Sequence, residues 1–321
     1  MNARRLLAFL AVAALILLPS TLAAQEQERA HFHHVHLNVT NPQKTIEYYK
    51  KVFSGVPVKF RGVSDAIMTE RSFILMTKVN APPPSELDYS IWHIGWSAVD
   101  TPTEYEWWKS QGIKFQTPLT RLGVDRYYTY LYGEDKEVLE ICCGGTNHKF
   151  NHLHLLVYDV NKTREFFTTI LGLPPLPPVP TTPPPQTATT QGSRANAPAA
   201  PAGAPGAAGG ARGGGGGAGL RVDNVGIATF AVSATANSPI WLAPPLKEIK
   251  PSKGRPIDHL AFSYKKIEPV FDRLKKAGIN IVEPISMKKE YNLKSFFILS
   301  PDNLLIEIVE AGPIPEGIWE K

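Results

Sequence analysis

Four short runs along the chain place apolar residues at near-alternate positions and begin at a histidine. They are His34-Val35-His36-Leu37-Asn38-Val39, His93-Ile94-Gly95-Trp96-Ser97-Ala98-Val99, His152-Leu153-His154-Leu155-Leu156-Val157 and His259-Leu260-Ala261-Phe262-Ser263-Tyr264. Short runs rich in β-branched, aromatic and aliphatic residues predict strands. A stretch with apolar residues at helical spacing follows each one. Thr40-Asn41-Pro42 introduces QKTIEYYKKVF, Asp100-Thr101-Pro102 introduces TEYEWWKSQG, Asp159-Val160-Asn161 introduces KTREFFTTILG, and Lys265-Lys266 introduces IEPVFDRLKKAG. Asn and Asp cap helix N-termini, proline suits the first turn, and Gly112, Gly172 and Gly278 close three of the four. Further apolar runs then appear, such as RSFILMTKV, YYTYLYGEDKEVLEICC, VGIATFAVS with PIWLAPP, and SFFILSPDNLLIEIVEA. The repeating unit is strand, helix and about three strands, which predicts an α+β fold of four βαβββ modules.

The histidines measure the repeat. His34 to His93 and His93 to His152 are each 59 residues, and His152 to His259 is 107. The excess falls on residues 174–219, a proline-, alanine- and glycine-rich stretch that cannot bury a core and is expected to be a disordered insertion. The modules are therefore expected at about 31–80, 90–145, 148–245 and 255–313. Taken in chain order they make two paired domains, 31–145 and 148–313.

Composition narrows the setting. Residues 1–24 combine Arg4 and Arg5, an apolar run from Leu6 to Leu18 and a small-residue end, the pattern of a secretory signal peptide. The protein is therefore expected to be secreted or periplasmic. Removing that segment takes Lys+Arg from 34 to 32 against 29 acids, a net charge of about +3 that offers nucleic acid no footprint. No later segment is long and apolar enough to span a membrane. The two cysteines, Cys142 and Cys143, are adjacent, where an ordinary disulfide is awkward, and are expected as thiols.

The chemistry lies on the repeat. Glu140 in Leu139-Glu140-Ile141 and Glu307 in Ile306-Glu307-Ile308 stand inside apolar strands, where a carboxylate needs a partner or a metal. They follow His93 and His259 by 47 and 48 residues. Modules one and three carry no acid at the matching place. Paired in chain order, the modules offer His34, His93 and Glu140, then His152, His259 and Glu307. Two imidazoles and a carboxylate suit a divalent metal and leave coordination positions open for substrate. An isolated strand histidine is usually structural; repetition in register favours ligands here. His36 and His154, two residues on and on the same face, are candidate substrate contacts or acid–base groups. His31, His33 and His148 have no echo and are expected at the surface.

HHVHLNV, IWHIGWSAV, FNHLHLLV and IDHLAFSY, with NPQKTIEYYKKVF and the closing strands GEDKEVLEICC and SPDNLLIEIVE, give the chain a family resemblance. From His31 to Gly312, apart from the insertion, it resembles the vicinal oxygen chelate superfamily of glyoxalases, bleomycin-resistance proteins and extradiol dioxygenases. The resemblance implies that each module pair wraps a cupped mixed sheet around one metal ion. It also implies that His34, His93, Glu140, His152, His259 and Glu307 are ligands to Fe, Mn, Zn or Ni. A fourth, glyoxalase-type ligand is lacking, since Leu75, Met76 and Leu242 stand near its place. The set is closer to that of extradiol dioxygenases, whose additional tyrosine and histidine places hold Phe297 and Lys288 in unit four, and Tyr130 and Arg121 in unit two. Tyr130 is therefore a further candidate substrate contact.

The expected activity is metal-dependent lyase, isomerase or dioxygenase chemistry on a small oxygen-chelating substrate. The alternative is a non-enzymatic protein that sequesters a small molecule or metal, and a scaffold with vestigial sites comes third.

Overall fold

The computed structural model describes residues 28–69, 72–123, 126–142, 148–174, 219–223, 225–232 and 246–314. The signal-peptide segment lies outside them, as do the run Ile240-Trp241-Leu242 and all of the proposed insertion except its two end residues. Of those two, Gly219 opens a strand.

The first module holds β1 (His31–Val39), α1 (Pro42–Phe53), β2 (Val56–Phe60), β3 (Ser64–Met68) and β4 (Phe73–Lys78). The second holds β5 (Ile91–Ser97), α2 (Thr101–Ser110), β6 (Phe115–Gly123), β7 (Arg126–Tyr132) and β8 (Val138–Cys142). In the third, β9 (Phe150–Val157) leads into α3 (Val160–Glu165), a π-helical turn at Phe166–Ile170, β10 (Gly219–Val222) and β11 (Val225–Ala231). The fourth holds β12 (Ile257–Tyr264), α4 (Glu268–Lys276), β13 (Asn280–Lys288), β14 (Leu293–Leu299) and β15 (Leu305–Glu310). The caps behave as their residue types demand. Asn41 accepts a hydrogen bond from the Lys44 amide and Asp100 one from the Thr103 amide. Gly112, Gly172 and Gly278 adopt positive φ after their helices.

The strands form two mixed sheets. The eight-stranded sheet runs β13-β14-β15-β12-β1-β4-β3-β2, and the seven-stranded sheet runs β10-β11-β9-β5-β8-β7-β6. Module one therefore shares a sheet with module four, and module two with module three. This corrects the expected pairing of modules in chain order; 31–145 and 148–313 each span two modules that lie in different sheets. The first strands meet antiparallel at the centre of each sheet, β1 against β12 and β5 against β9. Modules one and two do touch, but through helix α1. The α1 residue Phe53 stacks on Trp96 with ring centroids 4.3 Å apart, and Tyr49 donates to Glu137 at 3.1 Å.

Alternation along the central strands sorts the two faces. Val35, Leu37, Ile94, Trp96, Leu153, Leu155, Leu260 and Phe262 are buried in one core that lies between the sheets and takes in residues from all four helices. Phe32 of β1 meets Phe150 of β9 across it at 5.8 Å. The alternate residues, histidines among them, project from the opposite faces. Cys142 is disulfide-bonded, so the expectation of a thiol is not met there; Cys143 lies outside the described residues. No helix among the described residues is long and apolar enough to cross a membrane.

Candidate metal centres

The sheet pairing decides which side chains meet. In the eight-stranded sheet His34 of β1, His259 of β12 and Glu307 of β15 converge. Nε2 of His34 lies 3.2 Å from Glu307 Oε2, and Nε2 of His259 lies 3.5 Å from the same oxygen. In the seven-stranded sheet His93 of β5, His152 of β9 and Glu140 of β8 converge, with both Nε2 atoms 2.8 Å from Glu140 Oε2. All six predicted ligand positions thus gather into two sets of two histidines and one glutamate. The membership differs from the expected sets: His34 joins His259 and Glu307, and His152 joins His93 and Glu140.

Register explains the common layout. The residue two after a predicted ligand histidine pairs with the acid position of its own module's closing strand. Gly95 pairs with Glu140 and Ala261 with Glu307. In the acid-free modules His36 pairs with Leu75 and His154 with Ala228. Among the described residues, that place offers neither centre a fourth ligand, as expected from Leu75. Small residues at 95 and 261 leave room for the partner module's histidine. A Cβ at Gly95 would lie 2.1 Å from His152 Cε1, and Ala261 pairs with His34.

His36 and His154 lie inside the same clusters. The His36 ring stacks on His259 at 4.5 Å and its Nε2 meets Thr77 Oγ1 at 2.8 Å. The His154 ring lies 4.3 Å from that of His93. Donor atoms of His93, Glu140, His152 and His154 all lie within 4.8 Å of one another, as do those of His34, His36 and His259. Tyr130 packs its ring 5.0 Å from His93, and Phe297 takes the equivalent place against His259 at 5.1 Å. Lys288 reaches over the Phe297 ring and pairs with Glu283 at 2.6 Å.

Four supporting residues escaped the sequence reading. Asp258 accepts from His259 Nδ1 at 2.6 Å, and Asn151 accepts from His152 Nδ1 at 2.6 Å. Tyr291 and Ser295 donate to Glu307 Oε1 at 2.7 and 2.5 Å. The available signal for the first pair was a polar Asp or Asn directly before a repeated histidine in an otherwise apolar strand. His33 also differs from expectation: it is buried in a β1 irregularity against His34, Phe60 and Phe73. His31 is partly exposed and contacts Asp223, and His148 contacts Glu104.

Electrostatics favour a bound cation. Burial pulls His34, His36, His93 and His154 below their usual range, toward the neutral imidazole that ligates metals. Burial pulls His259 down as well, but the Asp258 hydrogen bond and the charges of Asp258 and Glu307 outweigh it and push it up to about 9. Burial alone would raise Glu140 and Glu307; their histidine neighbours outweigh that and hold both as carboxylates. With Nδ1–H donated to Asp258 or Asn151, the Nε2 lone pair of His259 or His152 points at a carboxylate oxygen. Two electron-rich atoms face to face need a proton or a metal ion between them. His34 Nε2, His259 Nε2 and Glu307 Oε2 are also buried without hydrogen-bond partners. The donor set fits a divalent metal in both sheets.

Known proteins agree with this architecture. The model of the Glyoxalase/Bleomycin resistance protein/Dioxygenase superfamily matches residues 31–141 and again 149–308. The fold is similar to glyoxalase I from Zea mays, at 14% identity, TM-score 0.61, and coverage of 90% of this chain and 95% of that one. It is also similar to a putative dioxygenase from Bacillus subtilis, at 13% identity, TM-score 0.54, and coverage of 88% and 86%. No curated protein matches the chain by sequence.

Proposed function

This chain belongs to the Glyoxalase/Bleomycin resistance protein/Dioxygenase superfamily, and we propose that it is a metal-dependent enzyme acting on a small substrate that binds through two oxygens. The observation that carries this is the convergence of His93, His152 and Glu140 from three strands, with His154 beside them. Two imidazoles and one carboxylate leave a divalent metal with open positions, and the ion would supply Lewis acidity to the substrate's oxygens. The same ligand types, His34, His259 and Glu307, would hold an ion in the other sheet.

The chain's own residues do the rest. Glu140 stays ionised between its two histidines. His154 is held neutral by burial, the form that accepts a proton, and its Nδ1 has no hydrogen-bond partner. Trp92, Tyr130 and Phe230 surround His93 and His154 with aromatic rings 5.0–5.8 Å apart. That wall gives the centre an apolar side. It also supports a second reading, in which the protein binds an aromatic or apolar small molecule without changing it.

Metal analysis of untagged protein is the test. Close to two equivalents per chain, falling to about one in His93→Ala and in His259→Ala, is expected; metal-free wild type sinks the enzyme reading. Iron would point to oxygen chemistry, and zinc, manganese or nickel to isomerisation or elimination. Metal-loaded protein is then incubated with diols and keto-alcohols and followed by proton NMR. Turnover that is lost in His154→Gln, with metal content retained, supports the enzyme. Binding without any new product across that panel supports the second reading.

A further inference from the structure

The two centres carry the same three ligand types, but their surroundings differ. We propose that the eight-stranded sheet holds its metal ion tightly while the seven-stranded sheet exchanges its ion, and that Asp258 is the positioning residue responsible. This rests on the metal-binding reading above.

Asp258 occupies an irregularity of β12, where the pairing with β1 slips between Ile257 and His259. The slip brings its carboxylate beside the ring of the following residue. Oδ1 accepts from His259 Nδ1 at 2.6 Å, while Oδ2 accepts from the Gly254 amide at 2.6 Å and from Asn38 Nδ2 at 2.9 Å. Asn38 in turn donates to the Arg255 carbonyl at 3.0 Å. The carboxylate is thus fixed from two sides, and it fixes the tautomer and orientation of His259. Tyr291 and Ser295 occupy Glu307 Oε1 and leave Oε2 for the ion. Carboxylate–histidine support of this kind is worth about 10–100-fold in metal affinity.

The seven-stranded sheet offers less. Its counterpart to Asp258 is the neutral amide of Asn151, which makes one contact to His152 and adds no charge. His93 Nδ1 is buried with no hydrogen-bond partner. Access differs in the same direction: the side chains of His34, His259 and Glu307 are 0%, 5% and 0% exposed, whereas that of His152 is 19% exposed. The eight-stranded sheet is also tied across its opening, where Ser64 at the start of β3 donates to the Glu290 carbonyl beyond β13 at 2.6 Å.

The experiment uses the full chain loaded with zinc and freed of excess. A chromophoric chelator, 4-(2-pyridylazo)resorcinol, is added and release is followed by absorbance. Wild type should release two equivalents in two phases separated by at least about tenfold. His259→Ala should lack the slow phase and His93→Ala the fast one. Asp258→Asn, close to isosteric, should accelerate the slow phase about 10–100-fold and leave the fast phase unchanged. Asn151→Asp should slow the fast phase. Release of two equivalents at one rate overturns the proposal. So does a slow phase lost in His93→Ala, a slow phase unmoved by Asp258→Asn, or a single equivalent in wild type. A wild-type chain that takes up no zinc refutes the metal-binding reading instead.

Discussion

Replacing Gly95 with alanine adds one methyl group at the point where the seven-stranded sheet has no room for it. A Cβ there would lie 2.1 Å from His152 Cε1 and 2.2 Å from Nε2, against an ordinary contact of 3.4 Å or more. The ring must retreat by about 1.3 Å, the difference between those distances. A functional ligand tolerates displacement of about 0.5 Å, so His152 leaves the site. Its Nε2 now stands 2.8 Å from Glu140 Oε2, a contact the shift breaks. Overpacking of this kind costs about 1–3 kcal/mol. Alanine also lowers the freedom of the unfolded chain, which favours folding by about 0.4–1 kcal/mol at an unstrained position. The steric term wins, leaving net destabilisation of up to about 2.6 kcal/mol. Urea denaturation at fixed pH measures it, and mass-spectrometric metal analysis should show one equivalent lost while the eight-stranded sheet keeps its own. An unchanged denaturation midpoint together with unchanged metal content would refute the placement of His152 over Gly95.

Two further expectations concern stability away from the centres. Burial raises the Glu137 carboxyl from 4.5 to about 7, so the folded chain binds this proton more tightly than the unfolded chain. Its contribution to stability is fully present below about pH 4.5 and falls by about 3 kcal/mol as the pH rises to about 7. Glu137→Gln should flatten that window in denaturation curves, and equal slopes in the two proteins would exclude the effect. Arg255 is buried, pairs with Asp88 at 2.8 Å and faces the Tyr89 ring at 5.4 Å. Arg255→Ala should cost about 2–3 kcal/mol, less than a fully isolated buried pair because Lys250 still contacts Asp88. A loss under about 0.5 kcal/mol, read from urea midpoints, would show that the pair holds little.

Much of this architecture was legible because each module writes it separately. The histidine at the head of each first strand, the Asn or Asp cap and the closing glycine are local signals, and they located the modules and the six ligand positions. Module partnership was not legible. Acid-bearing modules two and four alternate with acid-free modules one and three, so pairing one with two or one with four yields the same ligand complement. Chain order favoured neighbours. What decides the matter is tertiary: the apolar faces of α1 and β5 meet in the shared core, and that contact uses up the proximity of modules one and two without joining their strands. Asp258, Tyr291 and Ser295 were missed for a related reason. Each looks like an ordinary polar residue until the strand slip at Asp258 or the β14–β15 register turns it toward His259 or Glu307. His33 was misread as exposed because it has no echo in the other modules, and only the irregularity in β1 turns it in beside His34.

The nested pairing has a kinetic consequence. The seven-stranded sheet is made from strands that lie between Ile91 and Ala231, whereas β1 must wait for β12, with His36 and His259 paired across 223 residues. Contacts that close so long a loop form late and slowly. As the chain emerges, the inner sheet has all its strands while β1 still presents an open edge, and an open apolar edge invites pairing with other chains. Refolding should therefore show an early phase from the tryptophans of the inner sheet and a later, concentration-sensitive phase in which the outer sheet closes.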